Sequence, residues 1–191
     1  MFGRPLICIK KALNFQYMDG KMDLLIFSDS HGRIGNMVDV MERLYGRYNT
    51  VIHLGDNERD AKRMEQAYPS VPFYAVAGNC DFNGEEKFKL IEIYGKRIFI
   101  THGHEYGVKS GFGKLKQAAA KNKADACLFG HTHEAHYERV DGMIIMNPGS
   151  IEYPRGRHGT SYAMLTVSTS GDIRGNVIEL TKNGGKPIYM H

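Results

Sequence analysis

Side chains able to bind a metal ion follow several short apolar runs in this sequence. Asp29 and His31 follow the run LLIF, and His131 and His133 follow the run ACLF. Side chains two residues apart in an extended backbone point to the same side, so each pair could present two ligand atoms to one place. Three more apolar runs are each followed by a single candidate ligand: Asp56, Asn79 and His102.

The types of these seven residues predict a site for two divalent metal ions. Seven ligands exceed what one small cation binds, but they suit two ions that share a carboxylate. Imidazole and carboxylate without thiolate favour Mn, Fe, Zn, Ni or Co over a closed structural zinc site. Two ions about 4 Å apart can together hold a hydroxide and polarise a phosphoryl oxygen.

The stretch VAGNCDF, residues 76–82, places Asn79, Cys80 and Asp81 side by side after an apolar run. The amide oxygen of Asn79 is a neutral ligand, so it adds no negative charge to repel a phosphate. From its residue type alone, Cys80 is a candidate nucleophile, a candidate zinc ligand or a bystander. The sequence places no charged neighbour beside it that would argue for a reactive thiolate.

The apolar runs have the length and composition of buried strands. They contain about four to six residues rich in Val, Ile and Phe, and they end in glycine-containing turns. Between them, apolar residues at helical spacing predict helices in three regions, 34–45, 61–68 and 112–119. The early alternation of strand and helix predicts βαβ units with a parallel core. In such open sheets, sites lie outside the carboxyl ends of the strands, where the candidate ligands stand.

The second half of the sequence predicts antiparallel additions to this core. Hairpins are expected across Tyr94–Gly95, across Asp141–Gly142 and within residues 161–180. The predicted class is therefore α/β with mixed sheets.

Composition and charge are ordinary for one soluble globular domain of 191 residues, with 42% hydrophobic and 24% charged residues. Basic and acidic residues are interspersed at a net charge of +4, so no basic stripe for nucleic acid is expected. The three cysteines are scattered, which favours reduced thiols and a cytoplasmic location. No apolar run reaches membrane-spanning length. Residues 1–21 are expected to be an extension, the result of an alternative start at Met22 or a cloning remnant, and residues 22–191 a single domain.

The ordered motifs D-x-H, G-D, G-N-x-D, H and G-H-x-H resemble those of the calcineurin-like metallophosphoesterase superfamily. The segments GNCD, THGH, FGHTH and NPGS resemble its small stand-alone branch, the YfcE-like phosphodiesterases. The resemblance extends from about Met22 to Leu180. It implies a four-layer sandwich of two mixed β-sheets flanked by helices, and metal-dependent hydrolysis of small phosphodiesters.

The resemblance also implies a role for each candidate ligand. The first metal ion would bind Asp29, His31 and His133. The second would bind Asn79, His102 and His131. Asp56 would bridge the two, so that Asp56 and Asn79 are the predicted catalytic residues. Manganese is the expected metal, with nickel, iron, zinc and cobalt as alternatives.

Cys80 departs from the pattern of the family. In many members a histidine stands at this place and is thought to protonate the leaving oxygen. The resemblance implies that Cys80 replaces this acid, although a thiol with a reference pKa of about 8.5 is a poor substitute. Asp81 would brace the loop, and His104 is a further substrate-adjacent candidate. Asn147 and Ser150 are expected to shape the floor of the site, and Arg33 to lie in solvent.

Other functions remain as alternatives. A non-catalytic protein-binding scaffold is one, because a eukaryotic retromer subunit that resembles this branch is thought to act in that way. A nuclease or a phosphomonoesterase is another. All seven ligand positions are filled, which favours an enzyme, and the lack of a basic run disfavours long nucleic acids. A small phosphodiester is the expected partner, no membrane partner is expected, and a homo-oligomer stays open.

Overall fold

Strands account for most of the regular structure in the computed structural model, which describes residues 7–8, 20–81 and 87–190. The described strands are β1 Ile7–Cys8, β2 Lys21–Phe27, β3 Thr50–His53, β4 Phe73–Ala75, β5 Phe88–Ile93, β6 Lys96–Thr101, β7 Ala126–Leu128, β8 Ala135–Val140, β9 Met143–Pro148, β10 Ser161–Ser168, β11 Ile173–Thr181 and β12 Gly184–Met190. The described α-helices are α1 Gly35–Arg43, α2 Glu58–Ala67 and α3 Gly113–Lys121. Short 3-10 turns cover His104–Tyr106 and Val108–Ser110.

The strands form two mixed sheets. Sheet I has the order β1-β5-β6-β7-β9-β8, and sheet II has the order β12-β11-β10-β2-β3-β4. Strands β6, β7 and β9 are parallel in sheet I, and β2, β3 and β4 are parallel in sheet II. The remaining pairs are antiparallel, except that β1 runs parallel to β5. The predicted combination of a parallel core with antiparallel additions is confirmed.

Burial on both faces explains why the central strands read as unbroken apolar runs. In β2, Leu24 and Ile26 point into the core between the two sheets, whereas Leu25 and Phe27 pack towards α1 and α2. In sheet I, Phe99 of β6 packs with α3 on the outer face. Parallel strands covered on both sides need no polar alternation. The layers are therefore helices, sheet II, sheet I and helix, which agrees with the four-layer expectation.

Two of the predicted hairpins close through turns with positive φ at both central residues. The values are 49° and 78° at Tyr94–Gly95, and 50° and 84° at Asp141–Gly142. These conformations match the twist of the flanking strands. The helix predicted for residues 34–45 is too long at its C-terminal end. In the structure, α1 ends at Arg43, and the side chain of Tyr45 is 76% exposed. The left-handed Gly46, with φ of 77°, turns the chain away there.

The segment before residue 22 contributes a short strand. The backbone of Ile7–Cys8 pairs with Ile91–Glu92 at the edge of sheet I. The expected boundary between residues 21 and 22 falls inside β2, and the division into an extension and a domain stays a prediction. Among the described residues, no helix has both the length and the apolar character needed to cross a membrane.

Candidate active site

The seven predicted ligands lie together at the carboxyl ends of strands from both sheets. In sheet II, Asp29 and His31 follow β2, Asp56 follows β3 and Asn79 follows β4. In sheet I, His102 follows β6, and the pair His131 and His133 follows β7. The ends of parallel strands meet at one edge of a sheet, and here the edges of two sheets adjoin. The site therefore lies at the seam between the sheets.

A first group of potential ligands consists of Asp29, His31, Asp56 and His133. Each offers one atom, and these atoms all lie within 4.8 Å of one another. The Nε2 atom of His133 is 3.2 Å from Nε2 of His31 and 3.2 Å from Oδ1 of Asp29. The Nε2 atom of His31 is 3.6 Å from Oδ2 of Asp56.

A second group contains Asp56, His102 and His131, with ligand atoms again within 4.8 Å of one another. The Nε2 atom of His102 is 3.3 Å from Oδ1 of Asp56 and 3.2 Å from Nδ1 of His131. Asn79 joins this group through Oδ1, which is 3.2 Å from the same Nε2 atom. Asp56 belongs to both groups, and the partition is the one that the family resemblance implies. Metal binding by these residues stays a prediction.

The protonation pattern of two histidines fits a cation in each group. Nδ1 of His102 lies 2.7 Å from the carbonyl oxygen of Leu54, and Nδ1 of His133 lies 2.7 Å from that of Tyr153. A carbonyl only accepts, so Nδ1 carries the proton and Nε2 of the neutral ring is an acceptor. Each Nε2 then faces a carboxylate oxygen, and the buried Oδ1 of Asp29 has no hydrogen-bond partner among the described residues. Two acceptor atoms that face each other repel, and a positive ion bound between them would remove this repulsion.

Asp29 is held as an ionised carboxylate. Its Oδ2 accepts hydrogen bonds from the Ser28 hydroxyl at 2.6 Å and from the backbone N–H of His131 at 3.1 Å. Burial alone would raise the pKa of the Asp29 carboxyl, but His133 and Ser28 oppose it, and the net pKa is below the ordinary value. The Ser150 hydroxyl donates to the Asp29 carbonyl at 2.8 Å and fixes the turn. Oδ1 is left facing the site.

His131 and His133 have pKa values shifted in opposite directions. Burial lowers the pKa of His131 to about 4, and the neighbouring His102 adds to this, so the His131 ring is neutral at pH 7. A neutral imidazole is the form that binds a metal ion. The Asp29 carboxylate that faces Nε2 raises the pKa of His133, since it favours a positive charge at that atom.

The prediction that extended backbone directs each of the D-x-H and H-x-H pairs to one side is wrong. These residues do not lie in extended backbone: φ is 56° at Asp29, 47° at His31, 69° at His131 and 62° at His133. The left-handed turns direct His131 and His133 into different groups rather than to one side. Asp56, with φ of 57°, shares this conformation. Such positive values are uncommon outside glycine and cluster at functional sites, where the surrounding structure imposes them.

Cys80 lies at the exposed side of the site, in contact with Asp56. Its backbone N–H donates to Oδ1 of Asp56 at 3.0 Å, and its Sγ is 3.4 Å from Oδ2. Burial and the neighbouring Asp56 carboxylate raise the pKa of the Cys80 thiol to about 11. The thiol is therefore neutral at pH 7, which does not fit a thiolate nucleophile.

Asp81 braces the loop, as expected. One of its carboxylate oxygens accepts the backbone N–H groups of Asn57 at 3.1 Å and Glu58 at 2.8 Å, and the other accepts that of Gly78 at 2.8 Å. The carboxylate thus links the GNCD loop to the start of α2.

The other predicted residues lie near the site in different roles. The ring of His104 is 5.4 Å from that of His102, and its buried Nδ1 has no hydrogen-bond partner among the described residues. Burial lowers the pKa of His104. The side-chain amide of Asn147 donates to the Gly130 carbonyl at 2.9 Å, so Asn147, like Ser150, supports the ligand loops from beneath.

Sequence reasoning missed Tyr153. Its ring packs edge-to-face on His31 at 5.6 Å, its carbonyl orients His133, and the guanidinium of Arg33 lies 5.4 Å from its ring centre. Arg33 is exposed, as expected, and its guanidinium lies beside this ring at the rim of the site. The sequence signal for Tyr153 is its place three residues after the NPGS motif.

A second missed feature supports the first ligand loop. The hydroxyl of Ser30, between two predicted ligands, donates to Oδ2 of Asp60 at 2.7 Å and lies 3.0 Å from Nε2 of His53. All three side chains are buried. The loop after β2 is therefore anchored to both β3 and α2.

A cleft adjoins the two ligand groups on the side of α2. We call it the α2 cleft; it has a volume of about 420 Å³ and is lined by His31, Asn57, Glu58, Arg59, Lys62, Cys80 and Asp81.

Residues 22–170 match the family model of the calcineurin-like phosphoesterase superfamily domain. The chain is 38% identical over 170 residues to the probable metallophosphoesterase YsnB of Bacillus subtilis, covering 85% of this chain and 98% of that protein. It is 32% identical over 145 residues to the phosphodiesterase MJ0936 of Methanocaldococcus jannaschii, covering 67% of this chain and 83% of that protein.

Solved structures show the same fold. A predicted phosphoesterase from Streptococcus pneumoniae superposes with a TM-score of 0.72 at 28% identity, covering 90% of this chain and 98% of that one. Vps29 of Entamoeba histolytica, solved with zinc, has a TM-score of 0.72 at 22% identity, covering 87% and 97%. The latter likeness concerns the fold alone. From the matched domain and relatives, the chain belongs to the calcineurin-like phosphoesterase superfamily, a family of metal-dependent phosphoric ester hydrolases.

Proposed function

We propose that this protein is a dinuclear metal-dependent phosphodiesterase that hydrolyses small phosphodiesters in the cytoplasm. The observation that carries the proposal is the pair of acceptor groups that share Asp56. The first ion would be held by Asp29, His31, Asp56 and His133, and the second by Asp56, Asn79, His102 and His131. This mixture of imidazole, carboxylate and amide suits Mn²⁺, which we propose as the metal. When bound, such ions supply Lewis-acid polarisation of a phosphoryl oxygen and a nucleophilic water at neutral pH.

The protein side chains prepare this site for an anionic substrate. Asn79 contributes a neutral oxygen at the exposed side, where a phosphate would enter. Carbonyl groups hold the rings of His102 and His133 with Nε2 towards the site, and this avoids reorientation during the reaction. The neutral thiol of Cys80 argues against a covalent phosphoryl-cysteine intermediate.

The leaving group is expected to decide the preference among substrates. A thiol with a pKa of about 11 is a weak proton donor at pH 7, so Cys80 gives little help to a departing alkoxide. Aryl phosphodiesters, whose leaving groups are stable as anions, should react fastest. Diesters should exceed monoesters, because the additional charge of a monoester allows it to bind the ions in a non-reactive position.

A non-catalytic binding scaffold on this fold is the competing function. The complete set of seven candidate ligands favours the enzyme, because a scaffold has no need to keep them.

The test is metal analysis of the purified protein, followed by assays of aryl and alkyl mono- and diesters with each metal restored. We expect about two ions per chain, and the highest kcat/KM for aryl diesters with Mn²⁺. His102→Ala serves as the inactive control. A protein that binds fewer than two ions, or that binds two and hydrolyses no phosphodiester, would contradict the proposal.

A further inference from the structure

The α2 cleft is continuous with the candidate metal centre. His31 and Cys80 line the cleft. The same two side chains lie 3.6 Å and 3.4 Å from Oδ2 of Asp56. For a substrate with its reacting phosphate at the candidate metal centre, the cleft offers space for one substituent along the first turn of α2. At about 420 Å³, the cleft lies within the roughly 300–1,000 Å³ typical of small-molecule sites.

Among the described residues that line the cleft, Arg59 is a cation without a charged partner. The carboxylate of Asp81 is occupied by three backbone N–H groups. Glu58 is paired with Lys62 at 2.8 Å. Arg59 is exposed, and no hydrogen bond or ion pair within the described ranges engages its guanidinium. Within the part of the chain that the structure describes, the two acids of the cleft thus have partners, and the charged group left unpaired is the Arg59 guanidinium.

We propose that the α2 cleft binds the second ester arm of the diester, and that Arg59 binds a further phosphate carried by that arm. The substrate class is then a diester of nucleotide size with an additional anionic group. This inference rests on the proposed phosphodiesterase function. A guanidinium matches a phosphate through paired N–H donors, so Arg59 would act as a specificity-determining residue rather than a catalytic one.

Two matched substrates test the specificity: thymidine 5′-(4-nitrophenyl phosphate) with and without a 3′-phosphate. Both release nitrophenolate from the same reacting phosphate. The wild-type protein should prefer the 3′-phosphorylated compound by about tenfold in kcat/KM, mainly through KM. Arg59→Ala should abolish the preference and leave the other substrate within about twofold of wild type. Lys114→Ala, which removes one exposed charge from α3, should keep the preference.

Two results would overturn the proposal. One is a wild-type protein without preference between the two compounds. The other is an Arg59→Ala variant in which the activity on both compounds falls equally.

A binding measurement on metal-free protein separates this inference from the proposed activity. Thymidine 3′,5′-bisphosphate should slow alkylation of Cys80 by N-ethylmaleimide, followed at the peptide level by mass spectrometry, whereas thymidine should not. Arg59→Ala should weaken the protection about tenfold. Buried Cys127 serves as the unreactive internal reference. Protection of Cys80 in a protein without diesterase activity would contradict the proposed function but support the cleft as an anion-binding site. Absence of protection would contradict the assignment of the cleft.

Discussion

Asp56 connects the two candidate metal groups through its two carboxylate oxygens. Oδ1 faces His102 at 3.3 Å, and Oδ2 faces His31 at 3.6 Å. The backbone N–H of Cys80 donates to Oδ1 and helps to fix the carboxylate. Removal of this one side chain should therefore take a ligand from both groups, whereas Asp29 is a candidate ligand of the first group alone.

We predict that Asp56→Ala lowers kcat/KM more than Asp29→Ala or His31→Ala. The loss should exceed about 100-fold, the upper range for residues that only support a ligand. Metal content should fall in both positions. Activity and metal content are measured on the same samples, and an Asp56→Ala variant that keeps two ions and near-normal turnover would rule out the bridge.

We also predict that Cys80→His raises activity most on substrates with poor leaving groups. An imidazole near the leaving oxygen can donate a proton at pH 7, and such help is worth about 10²–10⁴-fold when well aligned. Cys80→Ser is the control and should retain substantial activity. The measurement is log kcat/KM against leaving-group pKa for the three proteins. An already shallow wild-type slope, unchanged in Cys80→His, would mean that another residue supplies the proton, with His104 the first to test.

Among the elements, α2 depends on a residue outside itself. Its N-cap residue, Asn57, has a left-handed φ of 89° and makes no capping hydrogen bond with its side chain. Asp81 accepts the first N–H groups instead, so the GNCD loop and the helix are fixed together. The loop also requires glycine at position 78, because a Cβ there would lie 2.2 Å from Oδ1 of Asp56.

We predict that Asp81→Ala destabilises the protein by about 1–2 kcal/mol, as expected for loss of a helix cap. The same change should lower the affinity for the second metal ion, since Asn79 lies in the loop that Asp81 no longer fixes. Urea unfolding and metal titration measure the two effects. Glu65→Ala, on the exposed face of α2, is the matched control. Unchanged stability in Asp81→Ala would show that the cap contributes little.

At the scale of the whole molecule, the candidate site joins the two sheets. Sheet II supplies Asp29, His31, Asp56 and Asn79, and sheet I supplies His102, His131 and His133. Ions held by this set would connect the two halves of the sandwich. Metal binding should therefore stabilise the entire fold.

We predict that removal of the metal with EDTA lowers Tm by about 5–10 °C. A ligand at 100 times its Kd contributes about 2.7 kcal/mol, which corresponds to this shift for a domain of this size. Mn²⁺ should restore Tm in the wild-type protein and have a smaller effect in Asp56→Ala. The measurement is thermal unfolding, and equal Tm values with and without metal would argue against a resident ion.

The N-terminal extension offers a further test at this scale. We predict that a protein starting at Gly20 keeps kcat/KM within about twofold, because β1 pairs at the edge of sheet I with β5, which carries none of the seven candidate ligands. Its loss would expose the edge of β5, so association should increase. Activity assays and light scattering report the two effects. A large loss of activity would place residues 1–19 within the functional domain.

The sequence alone determined the elements and the chemical character of the site. The apolar runs predicted the buried strands. Tyr94–Gly95 and Asp141–Gly142 predicted the tight turns. Both patterns arise from interactions between near neighbours in the chain. The ligand types at the strand ends predicted a metal centre, because the type of a side chain determines which ions it can bind. The motif order, by resemblance, predicted the family.

Only the tertiary structure decided how those residues meet. His31 and His133 are 102 residues apart, yet their Nε2 atoms lie within 3.2 Å of each other, because two separate sheets bring their strand ends together. The left-handed turns at the ligands, the contact of Cys80 with Asp56 and the cap that Asp81 gives to α2 also depend on this packing. Spacing in the sequence carries no information on such contacts, since they are imposed by the register of strands distant in the chain.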